Sequence, residues 1–263
     1  MKGYPRSGEC LIRKTVLFFA ICFAPAGALP QQLAPLPAPQ QQYLPQHETL
    51  NYAVDWRVFP AGTATFHLQS DGTTEHVTAT GESTGAVSLL YRVVDRFQSA
   101  FTRRDGCSLS FAKQLQEGRR QINSTLLFQY AQGKQVLDEK NLVKGTRRQQ
   151  ESPIPSCVSD LMSAIFVARA QPLQVGQNFT MPIADAMRVV NVTFKAEARE
   201  EIKTLAGTFQ TIRVEPTADA GVVKNRGNIW IWYTDDARHL PVQMRARLFW
   251  GTITLRLTSV DEK

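Results

Sequence analysis

Residues 48–59 read Glu-Thr-Leu-Asn-Tyr-Ala-Val-Asp-Trp-Arg-Val-Phe. Leu50, Tyr52, Val54, Trp56 and Val58 share one parity; Asn51, Ala53, Asp55 and Arg57 take the other. A period of two sends alternate side chains to opposite faces of an extended chain, so this stretch is a half-buried β-strand and not a helix. Pro60-Ala61-Gly62 reads as the turn after it. Ala64, Phe66 and Leu68 resume the alternation, Asp71-Gly72 turns the chain back, and a third strand follows around Val77 and Ala79.

The same period recurs along most of the chain. Strands are expected at 91–101, after a short helical piece at 86–90, and at 109–116, 122–130, 135–142 and 188–197. Segments 201–205 and 209–216 flank Ala206-Gly207 as a hairpin. In 228–234, Trp230 and Trp232 face one way and Ile229, Ile231 and Tyr233 the other, which marks a strand covered on both sides. Asp235-Asp236 turns it. Val242, Met244, Ala246 and Leu248 alternate in the next strand, and Ile253, Leu255 and Leu257 in the last.

One segment changes period. Val158, Leu161, Met162, Ile165 and Phe166 recur at helical spacing, with Ser156 as N-cap and Arg169 near the negative end of the helix dipole. The expected fold is therefore mainly β. About ten or eleven antiparallel strands form a curved sheet, a barrel or half-barrel, with one main helix at 157–170 packed on it.

The N-terminus carries an address. Lys2, Arg6, Arg13 and Lys14 precede an apolar run from Val16 to Phe23, and small residues follow to Ala28. That order is a secretory signal peptide, with cleavage after Ala26 or Ala28, and the apolar run is about half the length of a membrane span. Cys22 is preceded by Ile21, where lipid attachment wants a small residue. Residues 29–46, rich in Pro and Gln, read as an extended tether, and 47–260 as a single β-rich domain. Of 30 basic and 23 acidic residues, four basic and one acidic fall in 1–28, which leaves a net charge of +4. The arginine pairs are scattered, so no nucleic-acid partner is expected. Removing the leader discards Cys10 and Cys22. Cys107 and Cys157 remain and are expected to pair in an oxidising compartment. Closing their loop is worth about 4 kcal/mol on chain-entropy grounds.

Motif chemistry is sparse. His47, His67, His76 and His239 lack metal-ligand spacing, and HExxH, GxSxG, P-loop and GxGxxG motifs are missing from the sequence. No catalytic residue, metal or cofactor is assigned, and a hydrolase is disfavoured. Asp235 and Asp236 read as solvated turn carboxylates rather than as an acid/base or cation-binding pair. Asp160 and Arg169, nine residues apart on the expected helix, point to opposite sides and anchor different strands or loops. Asp95 sits among Val93 and Phe97 and needs a partner, expected to be a distant arginine, with a ligand contact as the alternative. Tyr52, Trp56, Phe66, Trp230 and Trp232 pack the core or line a cavity, and are the candidate ligand-lining set.

Several pieces, taken in order, resemble the exported bacterial family of domain of unknown function 3108. They are Glu48-Thr49-Leu50-Asn51-Tyr52 with Trp56 and Ala61-Gly62; Tyr91 to Phe97 with Ser99; Asp160 to Ala164 with Arg169; Ala206 to Phe209; and Ile229-Trp230 through Asp235-Asp236 to Pro241-Val242, with Gly251. The resemblance spans about residues 48–257. By fold analogy it implies a curved sheet like those of periplasmic lipoprotein carriers, which hold acyl chains in an apolar cavity, and it transfers no established activity. The expected function is a periplasmic, non-enzymatic binding or carrier module for a lipid-like or other apolar ligand. An envelope assembly or scaffold protein with a filled core is the alternative.

Overall fold

The computed structural model describes residues 44–218, 227–249 and 251–262. The segments expected from sequence to be a signal peptide and, nearly all of it, an extended tether lie outside these residues. Leu44 and Pro45, counted with the tether in sequence, are buried, and Leu44 belongs to the core.

Fourteen strands form one sheet: β1 (His47–Trp56), β2 (Phe59–Ser70), β3 (Thr74–Ser83), β4 (Val94–Thr102), β5 (Ser108–Glu117), β6 (Arg120–Gln129), β7 (Lys134–Asn141), β8 (Thr146–Pro153), β9 (Asn178–Asp185), β10 (Arg188–Thr204), β11 (Gly207–Thr217), β12 (Asn228–Thr234), β13 (Pro241–Leu248) and β14 (Gly251–Glu262). Helix α1 (Gly85–Leu90) links β3 to β4, and α2 (Ser163–Arg169) lies between β8 and β9. The spatial order runs from β8 down to β1, then from β14 down to β9, with every neighbouring pair antiparallel. Two meanders are thus joined where the last strand pairs with the first. β8 and β9 are the edges, and the segment carrying α2 crosses from one to the other.

Four expectations are corrected. The first hairpin turns at Arg57-Val58, with Arg57 left-handed (φ 57°), and Pro60-Ala61-Gly62 lie inside β2 at a bulge. Gly62 is needed there for close approach, since a Cβ would sit 2.1 Å from the Glu82 carbonyl oxygen. The expected strands at 188–197 and 201–205 are one strand, β10, bulged between Ala196 and Ala198. β8 and β9 went unrecognised. β8 is polar on both faces, and β9 contains Pro182, as edge strands tolerate.

The fourth correction is the helix. Its expected first half is extended: the Val158 carbonyl accepts from Ser108 N (2.8 Å), Ser159 N donates to Pro182 O (3.0 Å) and Ala184 N donates to Ser159 O (2.8 Å). Those backbone groups are committed to strands, so Ser156 caps nothing. The Asp160 carboxylate instead accepts from Met162 N and Ser163 N (2.8 and 3.0 Å), and helix begins only at Ser163.

In a meander the turns alternate between the two ends of the sheet. One end, the open rim, holds the β1–β2, β5–β6, β7–β8, β9–β10 and β13–β14 turns and α1. The other, the anchored rim, holds the β2–β3, β4–β5, β6–β7, β10–β11 and β12–β13 turns. The Cys107–Cys157 disulfide ties the β4–β5 turn to the inner segment at the anchored rim.

Candidate functional site: an apolar hollow under the inner segment

The inner faces of the strands supply a shared hydrophobic core. Leu50, Tyr52, Phe66, Leu68, Val77 and Ala79 pack in register across β1–β3, with Tyr52 and Phe66 edge to face at 5.4 Å. On the β9–β14 side the filling is incomplete. A hollow of about 420 Å3 lies between the inner segment and the sheet, within the size range of small-molecule sites. Leu161, Ala164 and Ile165 form one wall. Ile183 of β9, Val192 and Phe194 of β10, and Pro216 of β11 form the second. Ile229, Ile231, Met244, Ala246, Leu248, Ile253 and Leu255 of β12–β14 form the third. Ile229, Leu248, Ile253 and Leu255 are only partly buried, so the hollow opens to solvent on their side. Its one charged margin residue, Arg245, holds its guanidinium 5.3 Å over the Trp232 ring.

The strand residues of the hollow cluster toward the open rim. Ile229 follows the first residue of β12, Leu248 is the last of β13, and Ile253 pairs with Trp56 at the end of β1.

Two buried polar clusters fix the inner segment. At its start, Asp160 Oδ2 accepts from Ser99 Oγ of β4 (2.6 Å) and Ser108 Oγ of β5 (2.7 Å), while Oδ1 caps α2. Burial pushes the Asp160 carboxyl above its ordinary range, and these four donors pull it back. At the far end, Arg169 donates Nη1 and Nη2 to the two Glu48 carboxylate oxygens (2.6 and 3.1 Å), and Nε and Nη2 to the Arg238 carbonyl (3.3 and 3.2 Å). Both side chains are fully enclosed, 1% and 0% exposed. His239 Nδ1 donates to the Arg169 carbonyl at 2.8 Å. Tyr233 donates its hydroxyl to the Ile165 carbonyl (3.0 Å) and Tyr52 to that of Pro241 (2.7 Å); burial raises both phenols above their ordinary pKa.

None of the five aromatics expected to line a cavity borders the hollow. Tyr52 and Phe66 pack inside, on the β1–β2 side. Trp230 and Trp232 are on the opposite face of β12 from Ile229 and Ile231, where Trp232 Nε1 donates to Glu200 Oε2 (2.7 Å). Trp56 is half-buried at the open rim beneath the Arg57 guanidinium, 5.3 Å from its ring. Asp160 and Arg169 hold separate strands at separate ends. Asp95 makes no direct ion pair with an arginine among the described residues: its Oδ1 accepts from Gln116 N (3.1 Å), and burial raises its pKa against the pull of that amide and of the more distant Arg120. Asp235 pairs with Arg199 at the surface (2.6 Å). Asp236 Oδ1 closes the β12–β13 turn by accepting from Thr234 Oγ1, Arg238 N and His239 N. Sequence reading assigns no role to Glu48, Ser99, Ser108 or the apolar walls. Glu48 shares the parity of Leu50 and Tyr52, and Ile229 and Ile231 that of Met244 and Ala246 across the pair. Those parities were the available signals.

Among the described residues no helix is long and apolar enough to cross a membrane, and no cluster of three or more metal-ligating side chains occurs. A β-barrel-like crystal structure of a protein of domain of unknown function DUF1849 from Brucella abortus is similar in fold, with TM-score 0.55 and 10% identity over 84% of this chain and 99% of that one. A Bacteroides fragilis crystal structure with a YmcC-like fold aligns at TM-score 0.38 and 7% identity, over the same shares. No curated protein matches the sequence. The model of a family described as protein of unknown function, DUF3108, matches residues 51–258.

Proposed function

The chain belongs to the DUF3108 family, and we propose that it is a non-enzymatic binding or carrier protein whose hollow houses an apolar, chain-like ligand. One observation carries the reading. A hollow of about 420 Å3 is walled by apolar, mostly aliphatic side chains from both the inner segment and the sheet, with no hydrogen-bonding side chain but Arg245 at its margin. Aliphatic carbon cannot move a proton or attack a bond, whereas it favours methylenes over water. Burying about ten methylenes is worth about 8 kcal/mol. That matches a micromolar dissociation constant before ordering costs are subtracted. A carrier that must also release its cargo needs no tighter grip. A scaffold with a filled core has no use for such a space. The disulfide fits the oxidising compartment that an exported, periplasmic protein would occupy.

Titration with a fluorescent polyene fatty acid tests the reading. The protein is expected to bind it at micromolar concentration, and Ile253→Glu, which places a carboxylate in the partly exposed wall, to weaken binding at least about tenfold. Unchanged circular dichroism would show that the variant still folds. Equal affinity of the folded variant and the parent, or no binding by the parent, would remove the hollow as a ligand site.

A further inference from the structure

We propose that the open rim docks on an anionic bilayer surface, so that the hollow discharges or loads at the membrane. This rests on the reading of the hollow as a ligand site for its purpose, but on separate residues for its evidence.

Large apolar side chains stand bare on this rim. Val58, Leu89, Leu90 and Phe249 are 82%, 89%, 87% and 101% exposed, and Phe59 and Tyr91 more than half so. Leu142 and Val143 of the β7–β8 turn add a further exposed pair. They belong to four connections that pairing brings to one end of the sheet. Trp56 pairs with Phe59 across the β1–β2 turn. Arg57 N donates to the Thr252 carbonyl, which sets the β13–β14 turn beside it. Thr84 N donates to Ala61 O, which sets α1 against β2, and Leu142 N donates to Gln121 O at the same end of β6. On the anchored rim, the described turns leave one comparably bare apolar residue, Leu205.

Charge also differs between the rims. The described open-rim turns hold Arg57, Arg92, Arg119 and Lys144 and no acidic residue; those of the anchored rim mix Asp71, Asp105, Asp235 and Asp236 with Arg103, Arg104 and Arg238. Apolar tips interleaved with cations match the chemistry of an interface, where hydrocarbon lies beneath anionic headgroups. The tips project from separate turns rather than forming one flat patch. A fluid surface accommodates that shape more readily than a rigid protein face does. The partly exposed wall residues Ile229, Leu248 and Ile253 are on this rim too, so an apolar cargo leaving the hollow meets the docked surface without crossing water.

Co-flotation of the full chain with vesicles tests the proposal. The probe is phosphatidylcholine with about a third phosphatidylglycerol, against phosphatidylcholine alone. The protein is expected to float with the anionic vesicles and to be released by raised salt. Leu89→Ser, Leu90→Ser and Phe249→Ser together are expected to weaken partitioning about 100-fold. Leu205→Ser on the other rim is expected to leave it unchanged. Solution binding of the polyene fatty acid by the triple variant reports its fold and its hollow. Retained fatty-acid binding with lost flotation supports rim docking. Equal flotation of parent and triple variant, flotation indifferent to lipid charge, or a crosslinked protein partner on the rim in place of lipid would overturn it. Loss of fatty-acid binding by the parent, with flotation intact, would sink the hollow reading and leave rim docking standing.

Discussion

The two ends of the inner segment meet the same requirement by different chemistry. Both must hold a short, partly helical strap against the concave side of a sheet. At the start, a lone carboxylate, Asp160, is surrounded by two hydroxyls and two amides. At the end, a guanidinium meets a carboxylate, Arg169 on Glu48, both out of reach of water. A carboxyl ringed by neutral donors needs its shape and acceptors more than its charge. A buried cation needs its anion, because desolvation of an unmatched charge is the larger cost. Holding both ends fixes the strap over the hollow and keeps the apolar walls apart, so the anchors are the structural condition for the proposed site.

The largest effect is expected at the ion pair. Glu48→Gln, which leaves the Arg169 guanidinium buried without its anion, should destabilise by about 3–5 kcal/mol in denaturant unfolding. Glu48→Leu combined with Arg169→Met should cost far less than either change alone, since no stranded charge remains. Additive losses in that double variant would mean the pair does not act as a unit.

Asp160→Ala comes next, at about 2–3 kcal/mol, from loss of the cap and of the acceptor for Ser99 and Ser108. Asp160→Asn keeps the Oδ1 cap and can donate to rotatable hydroxyls, so it should cost less than about 1 kcal/mol at neutral pH. The comparison sharpens with pH. The folded-state pKa of Asp160 is raised by burial, so the folded chain binds this proton more tightly than the unfolded chain. Its contribution is fully present below the ordinary aspartate value of about 3.9 and is lost as pH rises through the folded value. Stability of the parent relative to Asp160→Asn should therefore fall as pH rises through that window. A parent that gains on Asp160→Asn as pH rises would show that the carboxylate is stabilised by its donors more than it is penalised by burial. The smallest change, Ser99→Ala, removes one of four donors and should cost about 1 kcal/mol.

The sheet was readable because most of its strands bury one face only. Leu50-Tyr52, Phe66-Leu68 and Met244-Ala246 alternate with residues that face out, and that period survives without knowledge of any partner. The edges were not readable. β8 buries almost nothing, so Thr146–Pro153 carries no period, and its pairing with β7 depends on the turn. The strap was misread because apolar spacing at 158–166 fits a helix, whereas the Val158 and Ser159 backbone groups are claimed by β5 and β9, which are distant in sequence. The aromatics misled about the hollow for a related reason. Both parities of β12 are apolar, and which one faces inward follows from the curl. Trp232 is buried on the outer face by Glu200 and Arg245, while Ile229 and Ile231 take the inner one. Asp95 is met by a backbone donor of the neighbouring strand β5, a partner that no charge pattern marks.

Native mass spectrometry of the protein purified without detergent from its own cells addresses the central claim most directly. The account predicts a population carrying one acyl-chain-sized mass, removed by organic extraction and reduced in Ile253→Glu. Bare protein alone, from preparations whose disulfide and fold are intact, would contradict it.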